Sequence, residues 1–277
     1  MPRVAVVGHV EWIEFARVPV MPKPGEIVHA TEWWEDVGGG GSVAAVQHAK
    51  LANGAEFYTA LAEDEVGRAA KRRLEELGVT VYAAPRPGKH RRGFVHLDGQ
   101  HERTITILGD RLVPHGDDDL PWENLEQTDA VYFTGGDVGA LQHSRKARRL
   151  VATPRAYETL KTANVKLDVL VRSATDPGEQ QAEEGLDPPP DYVVSTAGKA
   201  GGEWVGENRT TGSWKAAELP GEPQDSYGAG DSFAAAVAFG LGAGMTLEQA
   251  LELASRAGAS KLTGRAPYEN QLTAADL

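Results

Sequence analysis

The chain has 277 residues, of which 41% are hydrophobic and none is cysteine, and its formal net charge is −12. This apolar content is enough for a folded core, and the lack of cysteine excludes disulfides, thiolate catalysis and cysteine-based metal centres. Because the acidic balance argues against nucleic-acid and anionic-membrane partners, and no apolar run reaches the ~18 residues that cross a bilayer, we expect a cytoplasmic protein.

Strand and helix patterns alternate along most of the chain. Residues 4–7 form a continuous apolar run before Gly8, which is typical of a strand buried on both faces. Further strands are predicted at 56–61, 79–83, 130–133, 167–171 and 192–196, and helices at 42–52, 65–77, 141–151, 157–162, 232–241 and 247–261. The alternation predicts one α/β domain over residues 1–277, a three-layer α/β/α sandwich with a mainly parallel central sheet.

Two segments interrupt this alternation. Residues 10–34 have a β-like pattern broken by prolines. Residues 92–107 hold two alternating segments around Asp98-Gly99, a dipeptide that favours a hairpin with a type I′ turn. We therefore expect a small β lid built from these two segments.

The strongest local motif is DSYGAGD at residues 225–231, directly before a predicted helix. Glycines allow a tight turn, and a helix N-terminus adds unpaired N–H groups and partial positive charge, so the segment can bind an anion. Asp231 stands at the rim, where its carboxylate can accept a proton from a bound hydroxyl. A helix cap after a glycine turn is the structural alternative.

This segment resembles the C-terminal signature of the ribokinase-like (PfkB) carbohydrate kinases, Asp-Thr-x-Gly-Ala-Gly-Asp, with Ser226 in place of Thr. The resemblance implies that Asp231 is the catalytic base. It also implies that the amides of Gly228, Ala229 and Gly230 stabilise charge on the transferred phosphoryl group.

Four more segments resemble family motifs in the expected order. Residues 38–45 (GGGGSVAA) are similar to Gly-Gly-Lys-Gly-Ala-Asn-x-Ala, with Gly40 for Lys and Val43 for Asn, and residues 62–67 are similar to Gly-x-Asp-x-x-Gly. Residues 196–201 resemble the Thr-x-Gly-x-x-Gly loop beside the nucleotide, and residues 176–179 resemble the Asn-x-x-Glu motif tied to magnesium.

The resemblance implies three groups of binding residues. The acceptor group is Glu11, Glu14, Gly39, Gly40 and Val43; the nucleotide group is Arg172, Thr196, Gly198, Lys199, Gly201, Ala257 and Lys261; the metal group is Glu179 for Mg²⁺ and Asp225 for a monovalent cation such as K⁺. Because Ile13 and Val43 replace polar groups of the family, we expect a partly apolar pocket floor and poor turnover of ribose.

The function that the resemblance implies is ATP-dependent phosphorylation of a hydroxyl on a small sugar or sugar acid, with the two lid segments pairing across a homodimer. Three alternatives stay open: a nucleoside kinase of the same fold, a non-catalytic sugar- or nucleotide-binding regulator, and a vitamin kinase, against which the lid hairpin counts.

Overall fold

The computed structural model describes residues 1–99, 103–179 and 183–277, and these residues form two β-sheets and six α-helices. The strands are β1 (Val4–Val7), β2 (Glu11–Arg17), β3 (Glu32–Gly38), β4 (Ala55–Ala62), β5 (Val79–Arg86), β6 (Arg92–Leu97), β7 (Arg103–Leu108), β8 (Ala130–Phe133), β9 (Arg149–Ala152), β10 (Val169–Ser173), β11 (Tyr192–Thr196), β12 (Gly202–Gly206) and β13 (Thr211–Trp214). The helices are α1 (Gly40–Ala52), α2 (Glu65–Glu76), α3 (Val138–Ser144), α4 (Tyr157–Ala163), α5 (Ala229–Gly242) and α6 (Leu247–Leu262).

The large sheet has the order β13-β12-β11-β10-β9-β8-β1-β4-β5 in the described part of the chain. Neighbours from β5 to β11 run parallel, whereas β12 and β13 add an antiparallel hairpin at one edge. Alternate residues of β1 enter two cores: Val4 and Val6 pack with α1, α2, α5 and α6, and Ala5 and Val7 with α3 and α4. The predicted mainly parallel α/β sandwich, with β1 buried on both faces, is confirmed.

The helices form where the sequence offers a cap and an apolar stripe. In α2, the Asp64 side chain accepts a hydrogen bond from the Gly67 N–H at 2.8 Å, which satisfies one of the unpaired donors at the helix start. Ala70 and Leu74, one turn apart, are buried against the sheet. Gly78, with φ +85°, ends the helical segment in the left-handed conformation that glycine tolerates best.

The small sheet is the predicted lid. Its strand order is β3-β2-β6-β7, with β2 and β6 parallel and the other pairs antiparallel. β3 continues to Gly38, four residues beyond the predicted boundary at 34. Leu97 pairs with Arg103, so the predicted hairpin is confirmed. The turn predicted at Asp98-Gly99 continues into residues 100–102, which lie outside the described residues. The homodimer through this lid stays a prediction.

One predicted helix is partly wrong and one hairpin was missed. The helix expected at 141–151 ends at Ser144, and Arg149–Ala152 is β9, a buried strand between β8 and β10. A short apolar run is compatible with a helix or with a buried strand. Here it forms a strand, because β8 and β10 pair with it on both sides and the sheet buries it. The β12–β13 hairpin has no strong apolar alternation and was not predicted. Of the helices that the structure describes, none is long and apolar enough to cross a membrane.

Candidate active site

The glycine segment before α5 adopts the predicted turn and helix start. Gly228 caps α5 with φ +79°, and a Cβ added there would lie 2.9 Å from Val43 Cγ1, so both conformation and space require glycine. The first turn of a helix leaves backbone N–H groups without intrahelical partners. Ala229 and Gly230 contribute such groups here, which makes this end of α5 suitable for a phosphate.

Asp231 lies in the first turn of α5 and is partly exposed. Its carboxylate also lies against the start of α1, because a Cβ added at Gly40 would be 2.6 Å from Asp231 Oδ1. Gly39 caps α1 with φ +87°, and its N–H donates to the Tyr227 hydroxyl at 2.8 Å. Two helix N-termini therefore meet at Asp231.

Two cavities adjoin at this point. The first, here called the lid cavity, has a volume of about 460 Å³ and lies between α1, the end of β1 and the lid strand β7. The second, the sheet cavity, has a volume of about 400 Å³ and lies at the carboxyl ends of β9, β10 and β11, the edge where ligands bind in parallel sheets. Both cavities are lined by Asp231, Gly228, Arg103 and Arg155.

Glu11 lines the lid cavity as an ion-paired carboxylate. Its Oε1 accepts from Arg91 Nε at 2.7 Å and lies 3.5 Å from His9 Nε2. Burial disfavours the charged form, but the hydrogen bonds from His9 and Arg91 and the charge of Arg91 outweigh it and lower the pKa of Glu11 below its usual value. Glu11 is therefore ionised at neutral pH.

His9 is neutral, and its tautomer follows from its neighbours. Arg111 Nη2 lies 2.9 Å from His9 Nδ1, and a guanidinium has only donors, so Nδ1 accepts and the ring proton is on Nε2, towards Glu11. Burial lowers the pKa of His9, and the charge of Arg111 lowers it further. The imidazole thus links Arg111 to Glu11 without adding a charge.

The sheet cavity is lined by residues from three strand ends. Arg172, near the end of β10, donates from Nε to Ser195 Oγ at 2.9 Å and pairs with Glu183. Thr196 Oγ1 donates to the Arg172 carbonyl at 3.2 Å. Glu179 accepts from the Ser173 N–H at 2.8 Å through Oε2, while its Oε1 lies 3.6 Å from Arg155 Nε.

Asp225 is not exposed to either cavity. It accepts from the N–H groups of Tyr227 (3.0 Å) and Ala266 (2.8 Å), and its Oδ1 lies 3.7 Å from Nζ of the fully buried Lys261. Lys261 Nζ also donates to the Gly264 carbonyl at 3.2 Å. Burial raises the pKa of Asp225 and lowers that of Lys261, and each charge compensates the other. The Lys261 ammonium supplies the positive charge that was expected from K⁺, so the structure does not support the predicted cation site.

The structure brings most of the predicted residues together but displaces several. Glu14 lies on the opposite face of β2 from Glu11 and pairs with Arg92, outside the lid cavity. Val43 and Ile13 are fully buried, so they do not form the expected apolar pocket floor. Ala257 and Lys261 have no exposed surface, so neither can contact a nucleotide as predicted.

The predicted nucleotide loop lies beside Thr196. Gly198 and Lys199 are exposed in a short 3-10 turn after β11, and their role stays a prediction. Gly201 is buried, with φ +88°, and an added Cβ would overlap the Trp214 carbonyl, so its glycine is required by the β12–β13 hairpin.

Sequence reasoning missed five polar residues of the lid cavity: His9, Arg91, Arg103, Arg111 and Arg155. No motif marks them. Arg91 precedes β6, Arg111 follows β7, and Arg155 follows β9, a strand predicted as helix. Their sequence signal is only their position next to a strand end.

Comparison with known proteins places this site in a family. The sequence matches the pfkB family carbohydrate kinases over residues 1–192 and 151–274. With a match over most of its length, the chain belongs to the pfkB family of carbohydrate kinases, which are phosphotransferases. This confirms the class of enzyme that the five motifs predicted.

Individual relatives agree with this membership. The ribokinase of Bacillus subtilis (strain 168) is 26% identical over 279 residues, covering 93% of this chain and 92% of the relative. The structure of Arabidopsis thaliana ribokinase complexed with ribose and ATP has a TM-score of 0.78 at 20% identity, covering 99% of this chain and 96% of that one. The adenosine kinase of Sinorhizobium meliloti has a TM-score of 0.77 at 17% identity, covering 99% and 97%. Both structures share the fold.

Proposed function

We propose that this enzyme transfers the γ-phosphoryl group of ATP to a hydroxyl of a small sugar or sugar acid held in the lid cavity. The observation that carries the proposal is the position of Asp231 in the wall shared by the two cavities, at the N-terminus of α5. A group there can reach a hydroxyl on one side and a phosphoryl group on the other.

The reaction needs one proton transfer and one exchange of bonds at phosphorus. Asp231 accepts the proton of the acceptor hydroxyl as that oxygen forms its bond to the γ-phosphorus. The bond from phosphorus to the bridging oxygen breaks at the same time, and ADP leaves with that electron pair. Gly40 leaves room for the carboxylate, because no side chain at this position competes for the space.

Positive groups at the junction of the cavities stabilise the charge of the transferred group. Arg155 and Arg103 line both cavities, and the N–H groups at the start of α5 point to the same region. Arg172, Thr196 and the 3-10 turn at Gly198–Ala200 lie on the sheet-cavity side. We assign the triphosphate to this side.

The residues of the sheet cavity fit a magnesium ion bound near the phosphates. Glu179 lines this cavity, and only its Oε2 is used by the Ser173 N–H, while Oε1 is held loosely by Arg155. Carboxylate oxygens and water are the ligands that Mg²⁺ prefers. When bound, the ion would neutralise phosphate charge, and Glu179 would hold it through water.

The test is an assay of ADP release with ATP and Mg²⁺ against neutral sugars, sugar acids, sugar phosphates and adenosine. The proposal expects acceptor-dependent ADP release with at least one sugar or sugar derivative. Turnover only with adenosine would instead show a nucleoside kinase. ADP release that no acceptor increases would contradict the proposal.

A further inference from the structure

The lid cavity carries an excess of positive charge in an acidic protein. Among the described residues, its lining includes four arginines, Arg91, Arg103, Arg111 and Arg155, and only two carboxylates, Glu11 and Asp231. His9 adds no charge, because its Nδ1 accepts from Arg111. The chain as a whole has a formal net charge of −12, so this local surplus does not follow from composition.

Two of the four arginines belong to the phosphoryl-transfer region. Arg103 and Arg155 line both cavities, and Arg155 is also near Glu179 of the sheet cavity. Arg91 and Arg111 line only the lid cavity. The phosphates of ATP on the other side of Asp231 therefore do not account for this second pair.

Arg91 is neutralised and Arg111 is not. Arg91 pairs with Glu11 at 2.7 Å. Arg111 donates to the carbonyls of Arg155 (3.0 Å) and Thr134 (3.3 Å) and to His9, and within the described ranges no carboxylate lies within ion-pair distance of it. Carbonyls satisfy donors but do not cancel the charge of Arg111, and the carboxylates of Glu11 and Asp231 act on it only from beyond ion-pair distance, which is costly for a partly buried group.

The rest of the lid cavity suits a small polyhydroxylated carbon chain. Ile105 and Ile107 project from the same face of β7 and line the cavity, which gives a carbon skeleton an apolar cover. Asp231 and Glu11 accept hydrogen bonds from hydroxyls. A volume of about 460 Å³ is within the range of small-molecule sites.

Resting on the proposed function, we infer that the acceptor is itself an anion, a sugar acid or a sugar phosphate, whose carboxylate or phosphate is bound by Arg111 and supported by Arg91. In the described part of the chain, Arg111 Nη1 donates only to the Arg155 carbonyl, so its second N–H can donate a charged hydrogen bond to either group. The anionic group lies at the Arg111 end of the lid cavity, and the hydroxyl that reacts lies at the Asp231 end.

The first test compares acceptors that share a carbon skeleton. D-gluconate is measured against D-glucose, D-ribonate against D-ribose, and fructose monophosphates against fructose, each with saturating ATP and Mg²⁺. We expect kcat/KM for the best anion to exceed that for its neutral counterpart by at least about tenfold, the effect of a charged hydrogen bond. If the best anionic acceptor carries a carboxylate, the substrate is a sugar acid; if it carries a phosphate, the substrate is a sugar phosphate.

The outcomes separate the two proposals. A neutral sugar as the best acceptor overturns the anionic assignment but keeps the kinase. The absence of turnover with every acceptor overturns the proposed function. A fall in kcat/KM with added KCl for the anions, but not for the neutral sugars, is further expected, because salt screens the attraction to Arg111.

The second test replaces Arg111. In Arg111→Gln, we expect KM for the best anionic acceptor to rise at least about tenfold while KM for ATP stays within about threefold. Arg111→Lys keeps the charge and should recover part of the loss. Arg92→Gln is the matched control, because Arg92 adjoins Arg91 in sequence but pairs with Glu14 outside the cavity.

A merely structural Arg111 gives a different pattern. If Arg111→Gln changes KM by the same factor for anionic and neutral acceptors, the binding role is contradicted. If Arg111→Gln unfolds, the question is decided by Arg111→Lys and by the salt dependence of the unmodified enzyme. A KM for anionic acceptors that changes neither in Arg111→Lys nor with added salt overturns the inference.

Discussion

Gly40 and Asp231 lie so close together that a Cβ on residue 40 would be 2.6 Å from the Asp231 carboxylate oxygen. The carboxylate of Asp231, in the first turn of α5, thus lies against the start of α1. The glycine that replaces the family's lysine is therefore part of how this chain positions its proposed base.

Replacing Gly40 by alanine tests this contact. The added methyl group must displace the Asp231 carboxylate, and an error of about 1 Å at a reacting group can cost on the order of 10²-fold in rate. We expect Gly40→Ala to fold, to bind ATP normally and to lose kcat by about that factor. Steady-state kinetics measures the change.

Gly221→Ala is the matched control, since an added Cβ there meets its nearest atom, Thr263 Cβ, only at 3.8 Å. Equal kcat values for the Gly40→Ala and Gly221→Ala variants would show that Asp231 tolerates the methyl group and that the close contact has no catalytic role.

The Asp225–Lys261 pair predicts independence from monovalent cations. Both side chains are fully buried, and the Lys261 ammonium already faces the carboxylate at 3.7 Å. We expect the same turnover, within about twofold, in potassium, sodium and choline chloride at equal ionic strength. A turnover that rises several-fold with potassium alone would show that Asp225 binds K⁺ after all.

Removing the lysine should instead cost stability. Lys261→Met leaves Asp225 buried without its partner, and breaking one side of a buried pair typically costs about 3–5 kcal/mol. Urea denaturation measures the free energy of unfolding. As a control, Lys71→Met removes an exposed lysine of α2 and should change the free energy of unfolding by less than about 0.5 kcal/mol. Equal losses of stability in both variants would contradict a stabilising role of the Asp225–Lys261 pair.

Several elements of the fold can be predicted from the local sequence pattern. The apolar run at residues 4–7 is β1, and the glycines before residue 231 form the turn and helix start that their lack of side chains favours. Successive side chains of a strand alternate between its two faces, so Glu11 and Glu14, three residues apart on β2, lie on opposite faces. Sequence alone could have excluded Glu14 on that ground.

The arginines of the lid cavity could not be found in this way. Arg91, Arg111 and Arg155 are distant in sequence and meet only because the start of β6 and the ends of β7 and β9 lie near the same place in the fold. The burial of Lys261 is equally non-local, since a lysine in the last turn of a helix is usually exposed and here faces Asp225. Both features depend on strand order and helix packing.

His48 makes the stability of the fold depend on pH. It lies between α1 and α5, 2.8 Å from the Ala235 carbonyl, and burial lowers its pKa from 6.5 to about 4. Between these values the unfolded chain binds the proton and the folded chain does not, so the free energy of unfolding falls as pH falls. The total loss from this group is about 3 kcal/mol.

Urea denaturation of the wild type and His48→Gln across pH 5 to 7 measures this dependence. In the variant, the slope of the free energy of unfolding against pH should be smaller by the equivalent of up to one bound proton. The buried His9 and His90, whose pKa values burial also lowers, should still contribute to the slope that remains. His29→Gln, at an exposed position, should leave the slope unchanged. An unaltered slope in His48→Gln would show that His48 is protonated equally in both states.

The central claim is that Asp231 accepts the acceptor proton, and kcat of Asp231→Asn tests it most directly. Asparagine keeps the size of the side chain but cannot act as the base, and loss of a general base typically costs about 10²–10⁴-fold. We expect kcat to fall at least about 100-fold with KM for ATP within about threefold, whereas the exposed Asp119→Asn control keeps wild-type kinetics. A folded Asp231→Asn enzyme with kcat within threefold of the wild type would contradict the account.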